Sequence, residues 1–159
     1  MCYLERRRLG VYFLLIAVNA AVYWQVRDHA FLNFDDTTLL LENPHLTQGL
    51  TWAGLKWAFC DNFFSDPAIN DYWSPIPSLT HMLDFQVYGF EPAGHHGTNL
   101  LIHIANALVL SHALKRLTRA EWTSAAIAIF FSVHPLNVET VAWVITRNVL
   151  LAAFFSILA

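Results

Sequence analysis

Residues 9–26 read LGVYFLLIAVNAAVYWQV, 18 positions without a single charge. As an α-helix rising 1.5 Å per residue this stretch covers about 27 Å, close to the roughly 30 Å hydrocarbon core of a bilayer. Tyr23 and Trp24 near its end are amphipathic aromatics of the kind that anchor a helix at the lipid–water boundary. The segment therefore reads as a first transmembrane helix. Its basic flank and the small-residue site Val18-Asn19-Ala20 also fit a cleaved signal peptide.

The rest of the composition agrees with a membrane setting. Of 159 residues 56% are hydrophobic and only 13% charged, too apolar for an ordinary soluble domain of this size. The charges are also sorted by position. Arg6, Arg7 and Arg8 precede the first span, Lys115, Arg116 and Arg119 form a second basic cluster, and nine of the twelve acidic residues lie from Asp28 to Glu91. By the positive-inside rule both basic clusters are cytoplasmic, which puts residues 27–96 on the extracytoplasmic side. No basic stripe suggests a nucleic acid partner. Cys2 and Cys60 fall on opposite sides of the membrane and cannot pair.

The predicted fold class is an all-α membrane protein of three to four transmembrane helices, with one long extracytoplasmic loop carrying short amphipathic interfacial helices. A second span fits residues 97–114, where Asn99, His103, Asn106 and His112 recur at helical spacing and are suited to face protein instead of lipid. A third, about 120–134, is short, and His134-Pro135 breaks it, because proline lacks a donor and disfavours helix before it. An interfacial helix over about 138–147 and the start of a fourth span at 148–159 follow. That truncated apolar end predicts a missing continuation. In the loop, Thr51 suits an N-cap, and a helix from Pro75 or Ile76 to Tyr88, closed by Gly89, places Ile76, Leu79, Leu83 and Val87 on one face.

Two constellations can carry chemistry. Asp35-Asp36 lies just beyond the first span, where mutual repulsion and nearby lipid raise at least one carboxyl pKa toward that of a general base; a solvated acidic turn is the simpler alternative. His134, Glu139 and Arg147 form the second. On a continuous helix Glu139 and Arg147 lie about two turns apart on one face, with the arginine suited to phosphate or merely balancing the glutamate. Trp73, after Tyr72, offers a sugar-stacking platform or an interfacial anchor. No metal ligands are assigned: His95 and His96 diverge on a helix, and a hydrogen bond between His81 and Asp84 is the favoured reading of their i, i+3 spacing. A divalent metal ion is the one cofactor left open.

The ordered set Phe31-Leu32-Asn33-Phe34-Asp35-Asp36, Glu42-Asn43-Pro44, Tyr72-Trp73-Ser74-Pro75, Leu79 to Asp84, Pro92 to His96, Asn99 to His103 and His134-Pro135-Leu136-Asn137-Val138-Glu139 resembles one family over nearly the whole chain. It is similar to the membrane proteins with tetratricopeptide repeats of bacteria and animals, which look like members of the C-type (GT-C) glycosyltransferase superfamily that includes the protein O-mannosyltransferases. The resemblance implies transfer of a sugar, mannose foremost, from a polyprenyl-phosphate carrier to Ser or Thr hydroxyls of a translocated protein. Under it Asp35, with Asp36, is the acceptor base; Arg147 holds the lipid phosphate, and His134 and Glu139 belong to the same site. Asn148-Val149 departs from the Lys-Asp pair usual in bacterial relatives. It also implies further spans and a repeat domain, so that this part alone is expected to be inactive. The motif wording points to a bacterial inner membrane over the endoplasmic reticulum. A non-catalytic scaffold or carrier-binding module, and lastly a transporter, are the rival classes.

Overall fold

The computed structural model describes residues 3–61 and 73–159. The described residues form helices joined by turns and short loops, with no strand among them. Helix α1 (Tyr3–Tyr23) runs into a 3₁₀ turn at Trp24–Asp28, so the uncharged stretch is one continuous rod with a tightened end. Helix α5 (Pro92–Thr118) is the other helix long and apolar enough to cross a membrane. It starts five residues before the second span expected at 97–114. Pro92 to His96 thus form its first turns instead of the end of a loop, with proline at a helix start where its missing N–H costs nothing.

Helix α5 is the axis of the molecule, packing against α1, α4 (Pro75–Tyr88), α6 (Glu121–Ser132) and α8 (Arg147–Leu158). Small residues permit the close approach: Ala107, Ala125 and Ala128 interlock with Val11 and Leu15 in a buried cluster. The polar residues expected to turn inward do so. Asn99, His103 and Asn106 are buried, and His112 meets the Tyr12 hydroxyl at 3.0 Å. Asn99 and His103 serve the places where helix is interrupted, and Asn106 donates to the Leu150 carbonyl. α6 ends at Ser132, and the Ser132 carbonyl accepts from both the His103 ring (2.8 Å) and the Tyr23 hydroxyl (2.9 Å). These side-chain donors replace the Leu136 N–H that a continued helix would supply to this carbonyl and that turns to His134 Nδ1 instead. With 12 residues, α6 spans about 18 Å and is too short to cross alone.

Between α6 and α8 the structure corrects the expected interfacial helix over 138–147. Helix α7 (Asn137–Ala142) stops at Trp143, which is extended (φ −98°, ψ 120°). A 3₁₀ turn at Val144–Thr146 follows, and Arg147 opens α8. Glu139 and Arg147 are therefore on different helices. Asn99 Nδ2 donates to the Trp143 carbonyl (3.0 Å), closing the gap that the break leaves.

The described residues between the 3₁₀ turn and α5 fold as a small platform. Helix α2 (Pro44–Thr47) is capped by the Asn43 side chain, and α3 (Trp52–Lys56) by Thr51 Oγ1, which accepts from Gly54 N at 3.0 Å. Helix α4 (Pro75–Tyr88) has the predicted bounds, and Ile76, Leu83 and Val87 on its predicted apolar face stay uncovered. Leu40, Leu46, Trp57, Ala58, Met82, Phe85 and Val144 make the platform core. Gly89 (φ 59°, ψ −131°) occupies a region open to glycine alone, which turns the chain from α4 straight into α5. Tyr72 lies outside the described residues.

Candidate functional site

A one-turn π-helix, Asp36–Leu41, begins at the second residue of the acidic pair, and the two carboxylates have different roles in it. Asp36 is fully buried. Its Oδ2 accepts from Leu32 N (3.0 Å) and its Oδ1 from Ile145 N (3.2 Å), a bond across 109 positions. The Trp143 indole N–H approaches the same carboxylate without a well-aligned hydrogen bond. Burial raises the Asp36 pKa above its ordinary 3.8, partly offset by the two backbone donors. Asp35 is half-buried and does not cap the turn with its side chain.

The bond between Asp36 and Ile145 holds residues 29–33 against the break between α7 and α8. Between those segments opens a cavity of about 470 Å³, lined by His29 to Asn33 on one wall and by Glu139, Ala142 and Trp143 on the other. The lining is mainly apolar, with His29, Asn33 and Glu139 as polar members and aromatic surface from Phe31 and Trp143. Such a lining accepts a partly apolar ligand and orients it through few polar contacts. Asp36 underlies this cavity through the Leu32 amide; neither aspartate lines it.

Arg147 is also fully buried. Its guanidinium reaches Asp84 Oδ2 (2.6 Å), Asn99 Oδ1 (2.7 Å), the His95 carbonyl (3.0 Å) and, at 3.4 Å, Thr80 Oγ1. Every edge of the planar fork is thus occupied by the protein, so an incoming phosphate must compete with Asp84 for it. His134 is half-buried at the α6–α7 turn, its ring edge-on to Phe130 and its Nδ1 accepting from Leu136 N. Trp73, exposed, donates from Nε1 to the Phe59 carbonyl at 3.3 Å. The structure brings Glu139 and the Asp36 tether to one cavity, and sets Arg147, His134 and Trp73 outside its lining.

With that geometry in hand, the chain can be placed among known proteins. It is similar to the protein O-mannosyl-transferases. Protein O-mannosyl-transferase TMTC3 of Homo sapiens is 27% identical over 150 residues, 92% of this chain and 16% of that protein. Tmtc2 of Drosophila melanogaster is 31% identical over 120 residues, 72% of this chain and 12% of that protein. TMTC4 of Homo sapiens is 29% identical over 142 residues, covering 79% and 19%. The chain thus spans less than a fifth of the length of these relatives. No family profile matches the chain, and no solved structure does. These relatives are animal proteins, which gives the expected bacterial inner membrane no support.

Sequence reasoning missed Asp84 as the partner of Arg147, and Trp143 as the residue where the helix breaks. The first is legible only as the buried partner every buried arginine requires; the second carries no local signal, since no glycine or proline lies in residues 136–149.

Proposed function

We propose that this chain forms part of a membrane-embedded glycosyltransferase that moves a sugar, mannose foremost, from a polyprenyl-phosphate carrier to Ser or Thr hydroxyls of a translocated protein on the extracytoplasmic face. The observation that carries the reading is the likeness to protein O-mannosyl-transferases over 92% of the chain. The acidic pair beside an amphipathic cavity of about 470 Å³ is consistent with it.

In this reaction the acceptor hydroxyl attacks the anomeric carbon, the bond from that carbon to the carrier phosphate breaks, and the configuration inverts. Asp35 takes the hydroxyl proton, since Asp36 is engaged by backbone donors and is better placed to hold the loop. The leaving phosphate gains charge, which Arg147 stabilises once Asp84 releases one edge of its fork. Glu139 and Trp143 line the space for the ligand. The repeat domain and further spans of the full-length protein complete the site.

In the full-length protein, Asp35→Asn is expected to abolish sugar transfer from a polyprenyl-phosphate donor, by at least about 10²-fold, while membrane insertion and thermal stability hold. Transfer at near-normal rate in that variant would overturn the assignment of the base. A non-catalytic carrier-binding module is favoured instead if Asp35→Asn keeps every function while polar substitutions at Leu79 and Leu83 remove it.

A further inference from the structure

His81 and Asp84 stand one turn apart on α4, and Gly89 folds α5 back so that His95 meets them. One ligand atom from each of the three lies within 4.8 Å of the other two, and all three residues are at most 3% exposed. Neither ring nitrogen of His81 has a hydrogen-bond partner. The predicted bond between His81 and Asp84 is not made.

The tautomer of His95 follows from its partners. Its Nε2 lies 2.9 Å from the Gly89 carbonyl, which only accepts, so Nε2 carries the proton. The neutral ring then presents a bare lone pair at Nδ1, buried and 3.7 Å from Asp84 Oδ2. Arg147 compensates the Asp84 charge, but the Nδ1 lone pair facing that carboxylate oxygen has no donor, and a cation between the two would serve both. A proton on Nδ1 would relieve that contact alone and leave His81 without partners.

We propose that His81, Asp84 and His95 bind one divalent transition-metal ion of the zinc class. Two imidazoles and one carboxylate are a ligand set suited to such an ion. The supporting bonds are already in place: Gly89 O fixes the His95 ring, and Thr98 Oγ1 donates to Asp84 Oδ1 at 2.7 Å. His81 also lines a separate cavity of about 130 Å³ with Ser78 and Asn148, which gives an ion a path and room for a fourth ligand. Bond lengths of about 2.0–2.1 Å bring ligand atoms to within about 3.5 Å of one another, so the side chains close by roughly 1 Å on binding. The ion and Arg147 compete for Asp84 Oδ2, and Arg147 retains Asn99 Oδ1 and the His95 carbonyl when it yields. This site is independent of the glycosyl-transfer reading.

The test uses the full-length protein in detergent, stripped with chelator and titrated with Co²⁺ and Zn²⁺. One equivalent is expected to bind, with the intense visible bands of four-coordinate Co²⁺, and zinc-edge X-ray absorption is expected to count two imidazoles. His81→Gln and His95→Gln should abolish it, Thr98→Val should weaken it about 10-fold or more, and His112→Gln should leave it unchanged. Arg147→Gln should tighten it, because a competing positive charge is gone. No stoichiometric binding by the unaltered protein, or a bound ion without two imidazole ligands, overturns the proposal. Those two readings need no variant to fold.

Discussion

A buried arginine must find acceptors for its donors, and Arg147, at the head of α8, finds them on two other elements: Asp84 and Thr80 of α4, and Asn99 and the His95 carbonyl of α5. Removing one partner strands the other. Arg147→Ala or Asp84→Ala is each expected to cost about 3–5 kcal/mol, read as a lowered unfolding midpoint of the full-length protein in detergent. The double replacement Arg147→Met with Asp84→Leu removes both charges at similar volume and should recover most of that loss. It also separates two roles. A folded double variant that still transfers sugar shows that the pair is architectural, whereas one without transfer places one of the two charges in the reaction. Asp36 gives a second prediction at this scale. Its folded pKa is raised, so between the unfolded value of 3.8 and the folded one the native state holds more protons, and stability falls as pH rises through that window. Asp36→Asn has no such dependence. The difference between the two proteins' unfolding midpoints should therefore change across that window and be constant above it; a constant difference throughout removes the burial argument.

Elements whose ends carry their own chemistry were legible in the sequence. Pro75 and Gly89 bound α4, Thr51 caps α3, and the uncharged run at 9–26 gives most of α1, because each signal acts within a few residues. The early start of α5 and the break at Trp143 were not legible. His95 and His96 look like loop residues until α4 covers the first and the chain at His29–Phe31 the second, burying both. Residues 137–146 favour helix locally, yet the chain opens at Trp143 because Asn99 and Asp36, 44 and 109 positions away from the groups they bind, supply partners there. The candidate site was legible as residues but not as an arrangement: the acidic pair and Glu139 could be named, while the arginine's partner could not. The α4–α5 turn is the element on which most depends. Gly89→Ala forces a β-carbon into a glycine-only conformation, and is expected to destabilise by about 1–3 kcal/mol in thermal unfolding. It should also misplace His95 and so loosen Arg147, lowering transfer more than the stability loss alone accounts for.

At the scale of the molecule, one long helix carries both halves. With 27 residues α5 is about 40 Å long, some 10 Å more than a hydrocarbon core, so a crossing α5 would hold one end clear of lipid, where it joins the platform, while the other ends in the basic cluster. That cluster is held by Lys115 Nζ on Glu121 Oε1 at 2.6 Å, which ties the end of α5 to the start of α6, and by the left-handed Arg119 (φ 59°) that ends the helix. The arrangement makes a sidedness prediction that depends on no assumption about the reaction. Cys60 is exposed on the platform, and Leu117 is exposed at the far end of α5. In sealed vesicles of known orientation, with Cys2 and any cysteines beyond this segment replaced by serine, a membrane-impermeant maleimide is expected to label Cys60 from the extracytoplasmic side only. In the Cys60→Ser background, Leu117→Cys should be labelled only from the cytoplasmic side. Labelling of both positions from one side would mean that α5 does not cross. The platform, the acidic pair and the cavity would then lose their fixed side of the membrane, and a lipid-linked donor on the outer face would no longer be the substrate to test.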